Sequence, residues 1–238
     1  MKGRIVEIFS SFQGEGLLAG KRQIFIRLAG CNLNCNYCDT KYAKVDGRWM
    51  DIDEVIDEVL RRMSNDLHSI SFTGGEPLLQ HKFVGEVVYK LKEQGFMTYL
   101  ETNGTFPERL KEIIEGFDFT SIDIKLPSHF QNMDIEEYKQ ILNKELCSIQ
   151  VSHDGGVITF VKMVLLRNTT YTEVEEICEE LGKAIDDRAI SLILQPVTPI
   201  GEVKTPTFEQ LVRMSEIASC YIRSVYVLPQ VHRYMGWR

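Results

Sequence analysis

Three cysteines within eight residues, Cys31-Asn-Leu-Asn-Cys35-Asn-Tyr-Cys38, are the part of this sequence best suited to chemistry. A structural zinc ion normally takes four protein ligands, and the nearest following histidine, His68, lies thirty positions beyond Cys38. A disulfide would use two thiols and strand the third. Three thiolates suit a four-iron cluster that leaves one iron open to a small molecule. A zinc site completed by a distant ligand is the alternative that the spacing leaves standing. Cys147, Cys178 and Cys220 are scattered singly in apolar or helical surroundings and read as packing residues. A second unusual segment is Thr73-Gly74-Gly75-Glu76-Pro77, whose glycines let the backbone approach a ligand closely. Taken alone it is simply a turn. His68, His81, His129 and His153 belong to no motif and read as exposed or structural.

Such residues need loops held by regular elements, and the sequence alternates between strand and helix patterns. Strands are expected at Ile24–Leu28, Ser69–Phe72, Met97–Leu100, Phe119–Ile124, Val157–Leu166, Leu192–Leu194 and Val225–Leu228. Helical spacing runs through Val55, Ile56, Val59, Leu60 and Met63 behind an Asp51 N-cap, and through Phe83, Val84, Val87, Val88 and Leu91 up to Gly95. Further helices are expected at Pro107–Ile114, Ile135–Leu142, Val174–Ile185 and Phe208–Ile217. Asp154-Gly155-Gly156 suits a hairpin turn between Ile149–Ser152 and the strand that follows. This alternation predicts an α/β fold with mainly parallel strands, coiled into part of a (β/α) barrel. Chemistry in such folds sits beyond the C-terminal ends of the strands. The unusual residues do follow strands, at Gly30–Thr40, Thr73–Pro77, Glu101–Gly104, Asp123–Pro127 and Gln195–Pro199.

The chain has 238 residues, enough for a sizeable core in one large domain or two small ones. With 44% hydrophobic and 26% charged residues, its composition is that of a globular protein. A net charge of −7 argues against a broad phosphate-binding surface, so nucleic acid is a poor first choice of direct substrate. No apolar run approaches the roughly 18 residues that cross a bilayer, and Met1-Lys-Gly-Arg-Ile-Val-Glu-Ile does not read as a signal peptide. A cytoplasmic location is the expectation, in which six cysteines would not form a disulfide framework.

The Cys-x3-Cys-x2-Cys spacing, Tyr37 before the last cysteine and the Gly-Gly-Glu segment resemble the radical S-adenosylmethionine (SAM) superfamily. The resemblance implies that the open iron chelates the methionine end of SAM, so that one electron cleaves a carbon–sulfur bond to give a 5′-deoxyadenosyl radical. The protein then supplies positioning and exclusion of water. More segments are similar to one family, the 7-carboxy-7-deazaguanine synthases. These are Gln13-Gly14-Glu15-Gly16 behind Phe12, Arg27-Leu-Ala-Gly-Cys31-Asn-Leu33, Cys38-Asp39-Thr40 and Leu228-Pro-Gln-Val-His232 with the tail to Arg238. They span residues 5 to 238, nearly the whole chain.

That resemblance implies a single radical SAM core domain over residues 1–238, with a short N-terminal substrate-binding segment and a C-terminal closing tail. The length suggests an abridged barrel with some outer helices shortened or missing. The implied reaction converts 6-carboxy-5,6,7,8-tetrahydropterin to 7-carboxy-7-deazaguanine: hydrogen leaves carbon 6, the ring contracts and ammonia departs. SAM is regenerated, and the product feeds 7-deazapurine nucleosides such as queuosine or archaeosine. Implied partners are a flavodoxin- or ferredoxin-like electron donor and a second copy in a homodimer, with no direct nucleic acid and no membrane.

The implied site is specific. Cys31, Cys35 and Cys38 hold the cluster, and Thr40 ligates Mg2+, an ion that prefers oxygen ligands; a helix N-cap is the plainer role for Thr40. SAM is met by Tyr37, Cys38, Asp39, Gly74, Gly75 and the Glu76 region, where Glu76 orients the segment. Asp123-Ile124-Lys125 replaces a Ser-Pro-Lys segment of many relatives and keeps only the lysine, while Gln195-Pro196-Val197-Thr198 matches the late ribose segment. Substrate contacts fall to Phe12, Gln13, Gly14, Glu15, Arg27, Thr73, His232 and Arg238. Arg27 offers a planar fork for a carboxylate; its plainer role is a strand-end ion pair. Gln13 and Glu15 can accept from the donor edge of a pterin, or merely form a polar glycine-rich turn. Two rivals stand beside this account: a glycyl-radical-enzyme activase, and a non-catalytic iron–sulfur or zinc module.

Overall fold

The computed structural model describes residues 1–184 and 190–237. An 11-residue strand, β1 (Lys2–Phe12), opens the chain and pairs antiparallel with β2 (Arg22–Leu28). No strand is expected ahead of Ile24, so β1 is a finding, and the Gln13–Gly16 motif follows directly on its end. The edge strand β3 (Arg48–Asp51) runs antiparallel along the other side of β1. Helix α1 (Ile52–Leu60) begins at the expected cap, where Asp51 Oδ1 accepts from Glu54 N at 3.0 Å and Glu54 Oε2 accepts from Asp51 N at 2.7 Å.

Strand and helix then alternate: β4 (Leu67–Gly74), α2 (His81–Glu93), β5 (Thr98–Thr102), α3 (Pro107–Lys111), β6 (Phe119–Ile124) and α4 (Ile135–Asp154). They are followed by β7 (Ile158–Leu165), α5 (Tyr171–Ala184), β8 (Ser191–Pro196), α6 (Phe208–Ser219), β9 (Val225–Val227) and α7 (Val231–Met235). All nine strands form one sheet in the order β3-β1-β2-β4-β5-β6-β7-β8-β9. Every pairing from β2 to β9 along that order is parallel. Parallel neighbours require crossovers, and among the described residues each crossover carries a helix. The abridgement falls on α3, five residues followed by a single turn at Ile114–Gly116.

The two faces of the sheet differ in chemistry, because successive side chains in a strand point to opposite sides. Ile24, Ile26, Ile70, Phe72, Leu100 and Val161 join the main apolar core with α1, α2, α4 and α5. Each such side chain contributes roughly 1.5–3 kcal/mol when fully buried. The alternate positions Gln23, Ser71, Glu101, Asp123, Lys162 and Gln195 give the other face a polar lining.

Two expectations are corrected. No hairpin forms at Asp154-Gly155-Gly156, because α4 continues to Asp154. Leu142, Leu146 and Ile149 fall on its buried face, and Ser152 Oγ bonds Thr120 Oγ1 at 2.6 Å and Thr159 Oγ1 at 2.7 Å. Ile149 and Val151, β-branched and alternating with Gln150, suggest a strand, but the 3.6-residue spacing decides. Cys178 is buried as expected, whereas Cys147 is half-buried and Cys220 lies exposed at the C-cap of α6. The helix expected to reach Ile185 is described up to Ala184; Ile185 lies outside the described residues.

Candidate active site

A cavity of about 400 Å³ opens over the C-terminal ends of the parallel strands and the polar face of the sheet. Cys31, Cys35 and Cys38 line it together with Tyr37, Asp39 and Thr40. The loop carrying them is tied down on three sides. Lys44 Nζ donates to Leu33 O at 2.6 Å, Asn36 N donates to His129 O at 2.9 Å, and Asn103 Nδ2 donates to Asn32 Oδ1 at 3.0 Å. The three thiols are free of disulfides. Burial pushes the Cys31 and Cys35 thiols up, so binding a cluster as thiolates depends on its positive irons to displace the protons. Thr40 does not cap the turn it precedes; its Oγ1 lies 3.8 Å from Cys38 Sγ, facing the cavity.

The glycine pair packs directly against this loop. A Cβ at position 74 would overlap the Leu28 backbone, and one at 75 would overlap the Gly30 carbonyl oxygen. Glu76 N donates to Gly30 O at 2.7 Å, so the segment is zipped to the residues just before Cys31. Thr73 and both glycines line the cavity. Glu76 is fully buried and does not: its carboxylate accepts from Leu78 N, Thr102 Oγ1 and Asn103 N at 2.7–2.9 Å. It orients the segment from beneath, although burial pushes its carboxyl up.

A chain of buried and half-buried charges crosses the cavity wall. Glu15 pairs with Lys162, Lys162 Nζ lies 3.2 Å from Asp123 Oδ1, and Asp123 Oδ2 accepts from Lys125 Nζ at 3.0 Å. Lys125 Nζ also donates to Tyr37 Oη at 3.2 Å, which brings the chain to the cysteine loop. Burial alone would raise the Glu15 carboxyl, but the Lys162 charge and bonds from Gln230 and Lys162 outweigh it and hold it at about 2. Ile124 is placed away from the cavity, since alternation along β6 sends it into the apolar core. Val197 and Thr198 line the cavity beside Gln195, while Pro196 does not. Gln195 Oε1 is buried without a hydrogen-bond partner among the described residues, an acceptor suited to a ligand's donor.

The N-terminal motif lines the same cavity. Gln13 is a strut: its Oε1 accepts from Gly14 N and Glu15 N, and its Nε2 donates to Gln23 Oε1 and Glu101 Oε1, both at 3.0 Å. Phe12, Gly14 and Glu15 complete this wall. Arg27 lines the cavity while its Nε pairs with Glu7 Oε1 at 2.9 Å and its guanidinium lies 5.5 Å from the Phe9 ring centroid. The C-terminal segment closes over this wall. Val231 N donates to Gly14 O at 2.8 Å, Gln230 Nε2 to Glu15 Oε1 at 2.8 Å, and Trp237 packs on Phe12 at 5.2 Å. His232 sits so close over Gly14 that no side chain fits there. Arg238 lies outside the described residues.

Sequence reasoning missed Lys162 and left Glu101 without a role. A lysine inside the apolar run Val157–Leu166 was the available signal for the first. Glu101 gave a weaker signal, an acid at the end of a short strand.

Comparison with known proteins decides the family. Residues 25–194 match the model of the radical SAM superfamily. A 7-carboxy-7-deazaguanine synthase of Methanocaldococcus jannaschii is 38% identical over 98% of this chain and 99% of its own length. The chain belongs to this family. Its namesake from Methanothermobacter thermautotrophicus is 39% identical over 100% of this chain and 99% of its own, and that from Geobacter sulfurreducens 35% over 97% and 96%. The crystal structure of QueE from Escherichia coli shares the fold, with a TM-score of 0.63 at 21% identity over 98% of this chain and 95% of the other.

A radical SAM family member carries a four-iron cluster and SAM, and the residues here fit both. Three free thiols line one end of the cavity, glycine backbone stands beside them, and Gln195 presents a spare acceptor. Among the described residues no three His, Cys, Asp or Glu side chains are gathered closely enough to hold a single metal ion.

Proposed function

We infer that this chain is a 7-carboxy-7-deazaguanine synthase. It converts 6-carboxy-5,6,7,8-tetrahydropterin to 7-carboxy-7-deazaguanine with loss of ammonia, in the biosynthesis of 7-deazapurines. The observation that carries this reading is one cavity lined by the three cysteines together with Glu15 and Arg27. When bound, cluster and SAM supply the radical that starts the reaction. The chain's own residues do the rest. Arg27 faces the substrate carboxylate with a planar fork that Glu7 and Phe9 keep from swinging away. Glu15, held ionised, accepts from the pterin's donor edge, while Gln13 fixes the turn that presents it. Thr73 lies between the substrate wall and the SAM-binding glycines, and His232 with the tail keeps water from the mouth.

Turnover of the pterin by reconstituted enzyme under anaerobic conditions tests this reading. Iron in protein purified without oxygen agrees with it; zinc in the cysteine site overturns it.

Three finer points belong to the same proposal. Thr40 holds Mg2+ beside the substrate carboxylate, supported by an uncapped hydroxyl that faces the cavity next to Cys38; Thr40→Val should then lose magnesium stimulation and keep its cluster. An external flavodoxin- or ferredoxin-like protein supplies electrons. Cys35 and Leu33 wall both the main cavity and a second hollow of about 380 Å³ on the outside of the loop, which supports a short electron path; reduction by purified donors checks it. We also read the chain as one domain that works as a homodimer in the cytoplasm. A single sheet from Lys2 to Val227 supports the first part, and light scattering and fractionation check the others. No helix among the described residues is long and apolar enough to cross a membrane.

A further inference from the structure

Lys162 sits in the middle of β7, where Phe160, Val161, Met163, Val164 and Leu165 are all buried. An unpaired ammonium is not tolerated in such a place. Strand alternation turns Lys162 onto the polar face, where only 7% of the residue is exposed. Its register partner on β6 is Asp123, and its Nζ lies 3.2 Å from Asp123 Oδ1. The second partner, Glu15, is 147 positions earlier in the chain.

Asp123 already has a cation in Lys125, bonded to its other oxygen at 3.0 Å. Among the described residues Glu15 has no second ammonium bonded to it. The charged groups that act on it are Lys162 from β7, Asp123 from β6, Glu101 from β5 and His232 from α7, and among the described residues its carboxylate's other hydrogen bond is from the Gln230 amide. Take Lys162 away, and Glu15 is a half-enclosed carboxylate facing two other acids. Burial and like charge then favour its protonated form, which donates where a pterin's amino and ring N–H groups need an acceptor.

We propose that Lys162 is a positioning residue for substrate: by bridging Glu15 and Asp123 it keeps the Glu15 carboxylate charged and aimed at the donor edge of the pterin. The same bridge joins the substrate wall to the Asp123–Lys125–Tyr37 side of the cavity, so the two halves of the site are set relative to each other. This inference rests on the pterin reading above and adds a residue to it.

The test uses the full chain with its cluster reconstituted, comparing wild type, Lys162→Met, Glu15→Gln and the double variant. Pterin KM and kcat are followed through the neutral pH range, with SAM affinity and the cluster spectrum read alongside. Lys162→Met should raise pterin KM by at least about tenfold, the loss of one charge-assisted hydrogen bond. Its kcat/KM should gain a limb that rises with pH as Glu15 ionises, absent from wild type and from the double variant. The double variant should bind pterin no worse than Glu15→Gln alone. A Lys162→Met profile parallel to wild type, or a double variant weaker than Glu15→Gln by a further factor of ten, overturns the proposal. Should Lys162→Met fail to fold through its stranded charge, the comparison of Glu15→Gln with the double variant decides by itself. Failure of wild type to turn over the pterin would count against the substrate reading, not against Lys162.

Discussion

At the scale of residues, the site is a set of charges and donors that hold one another before any ligand arrives. Arg27 illustrates this, since it is braced by Glu7 and Phe9 yet keeps its place on the cavity wall. Arg27→Ala should raise pterin KM by roughly ten- to hundredfold, the worth of a charged hydrogen-bond pair, and leave the cluster absorbance unchanged. Loss of the cluster spectrum would instead make Arg27 a structural residue. The cysteines, the glycine pair and the N-terminal motif were legible in the sequence because their chemistry lies in short contiguous runs. Lys162 and Glu101 were not, because only sheet register brings β5, β6 and β7 side by side, and a single lysine is lost in an apolar average over β7. Gln13 was legible as a site residue, but its role as a strut depends on Gln23 and Glu101, which no local pattern reveals.

At the scale of elements, the parallel order followed from the alternation of periods, while two segments escaped it. β1 carries Ser10 and Ser11 among apolar residues at its motif end, so glycine and polar composition masked a strand whose pairing with β2 is settled by tertiary contact. The C-terminal third of α4 was hidden by β-branched residues that tertiary burial keeps helical. Where local signals agree with each other they held: the Asp51–Glu54 capping box starts α1 as read. Asp51→Ala should cost about 1 kcal/mol of stability, measured as a lower urea midpoint with an unchanged m-value. A change below 0.3 kcal/mol, roughly the noise of additivity at separate sites, would mean that core packing of Val55, Ile56 and Val59 starts the helix without the cap.

At the scale of the whole molecule, the sheet separates an apolar face that stabilises from a polar face that does chemistry, and stability inherits a pH dependence from groups between them. His129 is buried beneath the cysteine loop, with Nε2 bonded to Val164 O at 2.8 Å and Nδ1 accepting from Leu126 N at 3.0 Å; burial and the Lys125 charge hold its pKa at about 3 against 6.5. The unfolded chain therefore takes up a proton below pH 6.5 that the folded chain refuses until about pH 3. Stability from this group falls as pH drops across that window, by up to about 1.4 kcal/mol per pH unit. Glu15 acts in the same direction from 4.5 down to about 2. Urea unfolding from neutral to acid pH should show a shallower slope for His129→Gln than for wild type; parallel slopes would show that His129 titrates alike in both states. The net charge of −7 has its place here too, since Arg27, Lys125 and Lys162 supply local positive charge inside the cavity while the overall balance stays acidic. If this cavity turns over a carboxylated tetrahydropterin with SAM as a renewable cofactor, product accumulates without a matching loss of SAM. The most direct measurement is the count of 7-carboxy-7-deazaguanine and ammonia formed per SAM consumed by the anaerobically reconstituted, reduced enzyme. One ammonia per deazaguanine and many of both per SAM are expected; cleavage of SAM without any deazaguanine would overturn the pterin reading.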